Sequence, residues 1–133
     1  MIDIDIEEKF INQFIKKDFR QRLCYELRGK KRRHGLSRFC HNAKELLIES
    51  KIIAVGKNIS KKEIQELLPP NCKKEQCYVM AYNESIDGIV CDFEEALWKV
   101  LGNGMAAVII FDGFAVVETE QCFGSAEKMV LSS

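Results

Sequence analysis

The spacing of hydrophobic positions changes near residue 50. Before that point, apolar residues recur every three or four positions, which is the pattern of an amphipathic helix. The first 50 residues therefore predict three helices. Their apolar positions are Ile6, Phe10, Ile11, Phe14 and Ile15, then Phe19, Leu23, Cys24 and Leu27, then Leu36, Phe39, Cys40, Ala43, Leu46 and Leu47. Asp18 is expected to cap the second helix and Gly29 to end it in a left-handed conformation.

From residue 51 the pattern alternates between short apolar runs and helical segments. Ser60 and Glu63 form a predicted capping box, and Asp92 is the expected cap of a later helix. The dipeptide Asp112–Gly113 separates two apolar runs and predicts a tight β-hairpin. The predicted strands are KIIAV (51–55), CYVMAY (77–82), MAAVIIF (105–111) in the middle of the sheet, FAVVETE (114–120), and KMVLS (128–132) as an added edge strand.

These elements predict an α+β fold in one domain, residues 1–133. A helical part, residues 1–50, packs on a mixed β-sheet of order β-α-β-α-β-β within residues 51–133. With 47% hydrophobic and 30% charged residues, the chain does not have the composition of a disordered protein. We expect no membrane partner because no apolar run reaches about 20 residues. The acidic start, MIDIDIEEKF, does not resemble a secretory signal, so a cytoplasmic location is expected.

Charge is unevenly distributed along a chain whose formal net charge is zero. Residues 16–44 hold eleven Lys or Arg against two acids. Such asymmetry favours binding of an oppositely charged partner. We selected as candidate partner-binding residues of this basic cluster Arg28, Lys30, Lys31, Arg32, Arg33, His34 and Arg38.

The basic cluster allows two interpretations. Several adjacent cations can neutralise consecutive phosphates of a nucleic acid. However, no aromatic residue is interleaved with them along the sequence, and no nucleic-acid-binding motif accompanies them. The sequence therefore favours a solvated helix end, whose cations complement the helix dipole.

Metal, cofactor and catalytic motifs are absent from the sequence. Cys72 and Cys77 are separated by four intervening residues, and Cys40 is adjacent to His41, so neither pair has the spacing of a zinc motif. We predict no metal and no cofactor. The acidic residues between positions 84 and 95 are interpreted as turn and helix-cap residues. For an unrecognised enzyme site, the polar groups to consider first are His34, His41, Asp87 and Asp92.

Trp98 is the only tryptophan and lies at the flank of the helix that follows Asp92. Its position is about 140° around the helix from Phe93, on the same side as Glu94. Two interpretations remain open. The N-terminal helices cover the ring, as the usual burial of tryptophan favours, or Trp98 is an interface anchor with Glu94 at its rim.

The leading functional hypothesis is a non-catalytic protein-binding module that acts through charged surface faces. A toxin-neutralising (immunity-type) protein or an adaptor is an example of this class. The alternative is nucleic-acid binding through residues 28–38, and a second alternative is a small enzyme with an unrecognised site. The first hypothesis depends on the charge segregation and on the absence of a catalytic motif.

Overall fold

The computed structural model describes residues 2–73, 75–119 and 126–133. Within them, helices and strands follow the change of period seen in the sequence. The helices are α1 (Ile4–Phe14), α2 (Lys17–Arg28), α3 (Arg32–His41), α4 (Ala43–Leu46), α5 (Lys61–Leu67) and α6 (Phe93–Val100), with short 3₁₀ turns at Glu49–Lys51 and Pro70–Lys73. The strands are β1 (Ile52–Gly56), β2 (Gln76–Ala81), β3 (Val90–Asp92), β4 (Ala107–Phe111), β5 (Phe114–Glu118) and β6 (Lys128–Ser132).

The six strands form one sheet in the order β1-β6-β5-β4-β2-β3. The α+β class is confirmed. Every neighbouring pair of described strands is antiparallel, so the strand directions differ from those of the predicted mixed sheet. Two features account for the difference. The strand β3, which was not predicted, reverses the chain between β2 and α6, so β4 returns antiparallel to β2. The strand β6 lies between β1 and β5, so β1 does not pair with β2.

The hairpin at Asp112–Gly113 is confirmed. Phe111 pairs with Phe114 across the turn, and Gly113 has a φ of +78°, which glycine adopts without steric cost. All five residues of β4 are buried, because β4 lies inside the sheet and both of its faces are covered. The expectation that residues 128–132 form an edge strand is wrong, since β6 is internal. The described part of β5 ends at Glu118, and residue 120 of the predicted strand lies outside the described residues.

Two apolar cores lie on opposite faces of the sheet. The first contains the buried side chains of α1 to α4 together with Tyr78, Met80, Val108, Val117 and Met129 of the sheet. The second contains those of α5 and α6 with the alternate strand residues Val79, Ile109, Val116 and Val130. Since successive strand side chains point to opposite faces, the N-terminal helices and α6 are on different sides of the molecule.

Local signals at the helix ends were predicted with mixed success. The capping box of Ser60 with Glu63 is present, and the Asp92 carboxylate accepts the backbone N–H of Glu95 at 2.9 Å. Asp18 does not cap α2, which begins one residue earlier, at Lys17. Gly29 is extended rather than left-handed, with a φ of −121°. The third predicted helix is divided at Asn42 into α3 and α4. No helix among the described residues combines the length and the apolar character that a bilayer crossing requires.

Candidate partner-binding surfaces

Arg32 is buried in an ion-pair network and is not part of a solvated helix end. Its guanidinium donates two hydrogen bonds of 2.7 Å to the Glu7 carboxylate. It donates two more, of 2.7 and 3.0 Å, to the Asp87 carboxylate. The side chains of Arg32, Glu7 and Asp87 are only 13%, 5% and 12% exposed. We call Glu7, Arg32, Tyr78 and Asp87 the Arg32 network. It joins α1, α3, β2 and the loop after β2.

The remaining atoms of the Arg32 network are also satisfied. The Tyr78 hydroxyl donates to Glu7 and accepts the backbone N–H of Asp3, while Asp87 accepts the backbone N–H of Ala81. Burial, with the hydrogen bond to Glu7, raises the pKa of Tyr78 above its usual value. Burial alone would lower the pKa of Arg32, but its hydrogen bonds to Asp87 and Glu7 outweigh that effect and raise it. Arg32 therefore keeps its positive charge at neutral pH.

Arg38 is also withdrawn from the surface. It pairs with the buried carboxylate of Glu26 on α2, and its own side chain is 22% exposed. The two helices are close here because Gly35 of α3 has no side chain. A Cβ at Gly35 would lie 2.8 Å from the Cβ of Glu26. Arg32 and Arg38 thus hold helices and the loop after β2 together, and their contact with a partner stays a prediction.

Two further cations of the basic cluster are paired at the surface. Arg28 donates to Glu8 of α1 at 2.7 Å, and Arg33 lies 2.8 Å from the carboxylate of Glu84. Arg33 also lies over the Tyr82 ring, 5.4 Å from its centroid. The acids of α1 and of the loop after β2 therefore neutralise much of the charge that appeared concentrated in the sequence. Lys30, Lys31 and His34 are exposed.

Tyr25 and the exposed end of the basic cluster line one cleft, which we call the Tyr25 cleft. Its volume is about 670 Å³. The lining residues are Glu8 of α1, Gln21, Cys24, Tyr25 and Arg28 of α2, and Gly29, Lys30 and Lys31 of the following turn. The Tyr25 side chain is largely in solvent, with 73% of the residue exposed. An aromatic residue thus accompanies the cations in space, although it is not interleaved with them in the sequence.

The second surface is centred on Trp98, on the opposite face of the sheet from the N-terminal helices. Trp98 is 71% exposed, so the interpretation that those helices bury the ring is wrong. The ammonium group of Lys61 on α5 lies over the indole, 4.2 Å from its centroid. Glu94 is also exposed and lies one helical turn before Trp98. We call Lys61, Glu94 and Trp98 the Trp98 surface.

The candidate catalytic and metal-binding groups have other roles or are dispersed. Both carboxylate oxygens of Asp87 bind Arg32, and Asp92 caps α6. Cys40 belongs to the core on the N-terminal helix side, whereas Cys72 and Cys77 belong to the core on the other side. Within residues 2–73, 75–119 and 126–133, no three His, Cys, Asp or Glu side chains are grouped as metal ligands.

Glu118 is a buried acid that was not among the predicted site residues. It ends β5, is fully buried, and accepts the backbone N–H of Gly102 at 2.7 Å. Its other carboxylate oxygen has no hydrogen-bond partner among the described atoms. Burial raises the pKa of Glu118, although the Gly102 hydrogen bond and the charge of Lys128 oppose this shift. Glu118 follows the apolar residues Phe114 to Val117 of β5. This position at the end of an apolar strand was the only feature of the sequence that indicated its burial.

Comparisons with protein-family models, with curated proteins and with solved structures find no match to this chain. The geometry of the two surfaces is therefore the basis for a functional proposal. Tyr25 and Lys61 are the surface residues that sequence reasoning missed. Tyr25 precedes Arg28, the first cation of the basic cluster, by three residues. Helical spacing therefore predicts that the two side chains lie on the same side of α2. Lys61 is on a different helix from Trp98, so no local pattern connects the two.

Proposed function

We propose that this chain is a non-catalytic protein-binding domain whose anchor is Trp98. The exposure of this single tryptophan is the observation that carries the proposal. Tryptophan is among the residues most enriched at energetically important interface positions. A ring that is 71% exposed leaves most of its apolar area available for burial against a partner.

The neighbours of Trp98 support an anchor role. Lys61 over one ring face restricts the motion of the indole before binding, which reduces the entropy lost on association. A cation over an aromatic ring at an exposed site contributes about 0.5–1 kcal/mol. Glu94, one turn away, supplies a charged rim of the kind that surrounds interface anchors. The partner that fits is a protein with an apolar pocket and polar groups at its margin.

The proposed class of this chain is that of the leading hypothesis, an immunity-type or adaptor protein. Such a protein acts by occupying a surface of its target, so it needs a rigid scaffold and an anchor. In this proposal, the apolar cores on the two faces of the sheet and the Arg32 network make the scaffold rigid. The five described cysteines are free thiols, and this is compatible with action in the reducing cytosol.

The test compares three tagged proteins as bait in native cytosol at low salt: the parent, Trp98→Ala and Tyr25→Ala. Tyr25→Ala is the matched control, because it removes an equally exposed aromatic residue from the other side of the molecule. We expect the parent and Tyr25→Ala to retain the same stoichiometric protein and Trp98→Ala to lose it. The loss of affinity, measured with the purified partner, should be about 2 kcal/mol or more. Recovery of no stoichiometric protein, or equal recovery by Trp98→Ala, would refute the proposal.

A further inference from the structure

We infer that the Tyr25 cleft binds a nucleotide unit, with the base stacked on the Tyr25 ring and the phosphate held by Lys30 and Lys31. This site is separate from the Trp98 surface, because α2 lies on the opposite face of the sheet from α6. The inference adds a ligand class to the proposed protein-binding function and does not depend on it.

The cleft is built on one stripe of α2. Gln21, Cys24, Tyr25 and Arg28 are three or four residues apart, so their side chains project from one side of the helix. The turn at Gly29–Lys31 closes one end of the stripe, and Glu8 of α1 lies at its side. The resulting volume of about 670 Å³ is within the range of small-molecule sites.

The chemistry of the lining favours a ligand that is both aromatic and anionic. An exposed aromatic ring offers a stacking face that every nucleobase can use. Lys30 and Lys31 are exposed, and neither makes an ion pair with a described carboxylate. Arg28 adds a cation that is already paired with Glu8, so Glu8 partly offsets its charge. The two lysines are therefore the phosphate-binding groups, and Gln21 can hydrogen-bond a base edge.

The other cations of the basic cluster are paired with carboxylates, and this limits the length of nucleic acid that the surface can bind. Arg32, Arg33 and Arg38 are paired with Glu7, Glu84 and Glu26. They do not extend the cationic surface beyond Lys31. A duplex, which presents phosphates over a long backbone, does not match this limited surface. A single nucleotide, or one or two nucleotides of a single strand, does.

The experiment measures binding by fluorescence anisotropy at low salt with a labelled single-stranded oligonucleotide of uridines and, separately, with labelled adenosine monophosphate. Both probes contain a base and a phosphate. Comparable affinity for the two would identify a free nucleotide as the ligand. Tighter binding of the oligonucleotide would identify a single strand. Failure of both probes to bind would overturn the inference.

Variants test each half of the ligand separately. Tyr25→Ala should weaken binding about tenfold or more, whereas Tyr25→Phe should bind as the parent does, since stacking is retained. Replacing both Lys30 and Lys31 with Ser should reduce the slope of log affinity against log salt for the oligonucleotide by about 0.7, the value for one phosphate contact on a single strand. Trp98→Ala is the control and should leave binding unchanged. Equal binding by the parent and Tyr25→Ala, or an unaltered salt slope, would contradict the inference.

Discussion

Arg32→Met is a substitution for which the structure predicts a large loss of stability. It removes the guanidinium that pairs with both Glu7 and Asp87, whose side chains are 5% and 12% exposed. The carboxylates of Glu7, which is buried, and of Asp87, which is partly buried, are then left without this cation. Breaking one buried pair costs about 3–5 kcal/mol. Because a domain of this size is stable by about 5–15 kcal/mol, we expect Arg32→Met to lose about a fifth or more of its unfolding free energy.

The assay is urea unfolding at neutral pH, followed by far-ultraviolet circular dichroism. Arg33→Met is the matched control, because the adjacent Arg33 pairs with Glu84, which is 85% exposed. Exposed pairs contribute about 0–1 kcal/mol. A loss below about 1 kcal/mol in Arg32→Met, with an unchanged urea dependence, would refute the role of the Arg32 network.

A second substitution tests whether unpaired charge causes the loss. Glu7→Gln alone should destabilise the protein, because it weakens the pairing with Arg32 and the hydrogen bond from Tyr78. In the Arg32→Met protein, the same substitution removes one of the two unpaired charges and should restore part of the stability. If Glu7→Gln destabilises both backgrounds equally, the explanation by buried charge is wrong.

Three further predictions concern single residues. Gly35→Ala should cost about 1–3 kcal/mol in urea unfolding, because the new Cβ would lie 2.8 Å from that of Glu26; a neutral effect would contradict the close approach of α2 and α3. Burial raises the pKa of Glu118, so the native state holds this proton more tightly than the unfolded chain does. The parent should therefore lose stability relative to Glu118→Gln as the pH rises above about 4, through the raised pKa; parallel pH profiles of unfolding free energy would contradict this. Iodide should quench Trp98 fluorescence strongly in the native protein, and Trp98→Ala should lower the unfolding free energy by only about 0.5–1 kcal/mol, the contribution of the contact with Lys61; a ring protected from iodide would show that it is buried.

Features set by neighbouring residues were predictable from the sequence. The Ser60–Glu63 capping box, the Asp92 cap and the turn at Gly113 each depend on a few consecutive positions. The apolar stripes of the first helices were also correct as the faces that pack on the core, although Ile6, Phe19 and Cys24 are only partly buried and Asn42 divides the last stripe. Local sequence decides these features because the interacting groups are within one or two turns of each other.

Features that depend on distant residues were not predictable in the same way. Arg32 belongs to a run of cations in the sequence, yet its partners are 25 and 55 residues away. The exposure of Trp98 depends on which face of the sheet the N-terminal helices cover. The internal position of β6 depends on its pairing with β1, and β3 is too short to give a distinct alternating pattern. Charge and hydrophobicity along the chain do not encode these partners.

The position of β6 has a consequence for how the protein is made. During synthesis β1 emerges early, but among the described strands its hydrogen-bonding neighbour is β6, which is translated much later. Until then β1 is an unpaired apolar strand, and Ile53 and Val55 remain 45% and 48% exposed even in the finished edge. Such a strand is prone to pair with another nascent chain. Lys51 and Lys57 flank β1. Their positive charges repel those of the same strand in another nascent chain, which opposes such pairing until β6 is synthesised.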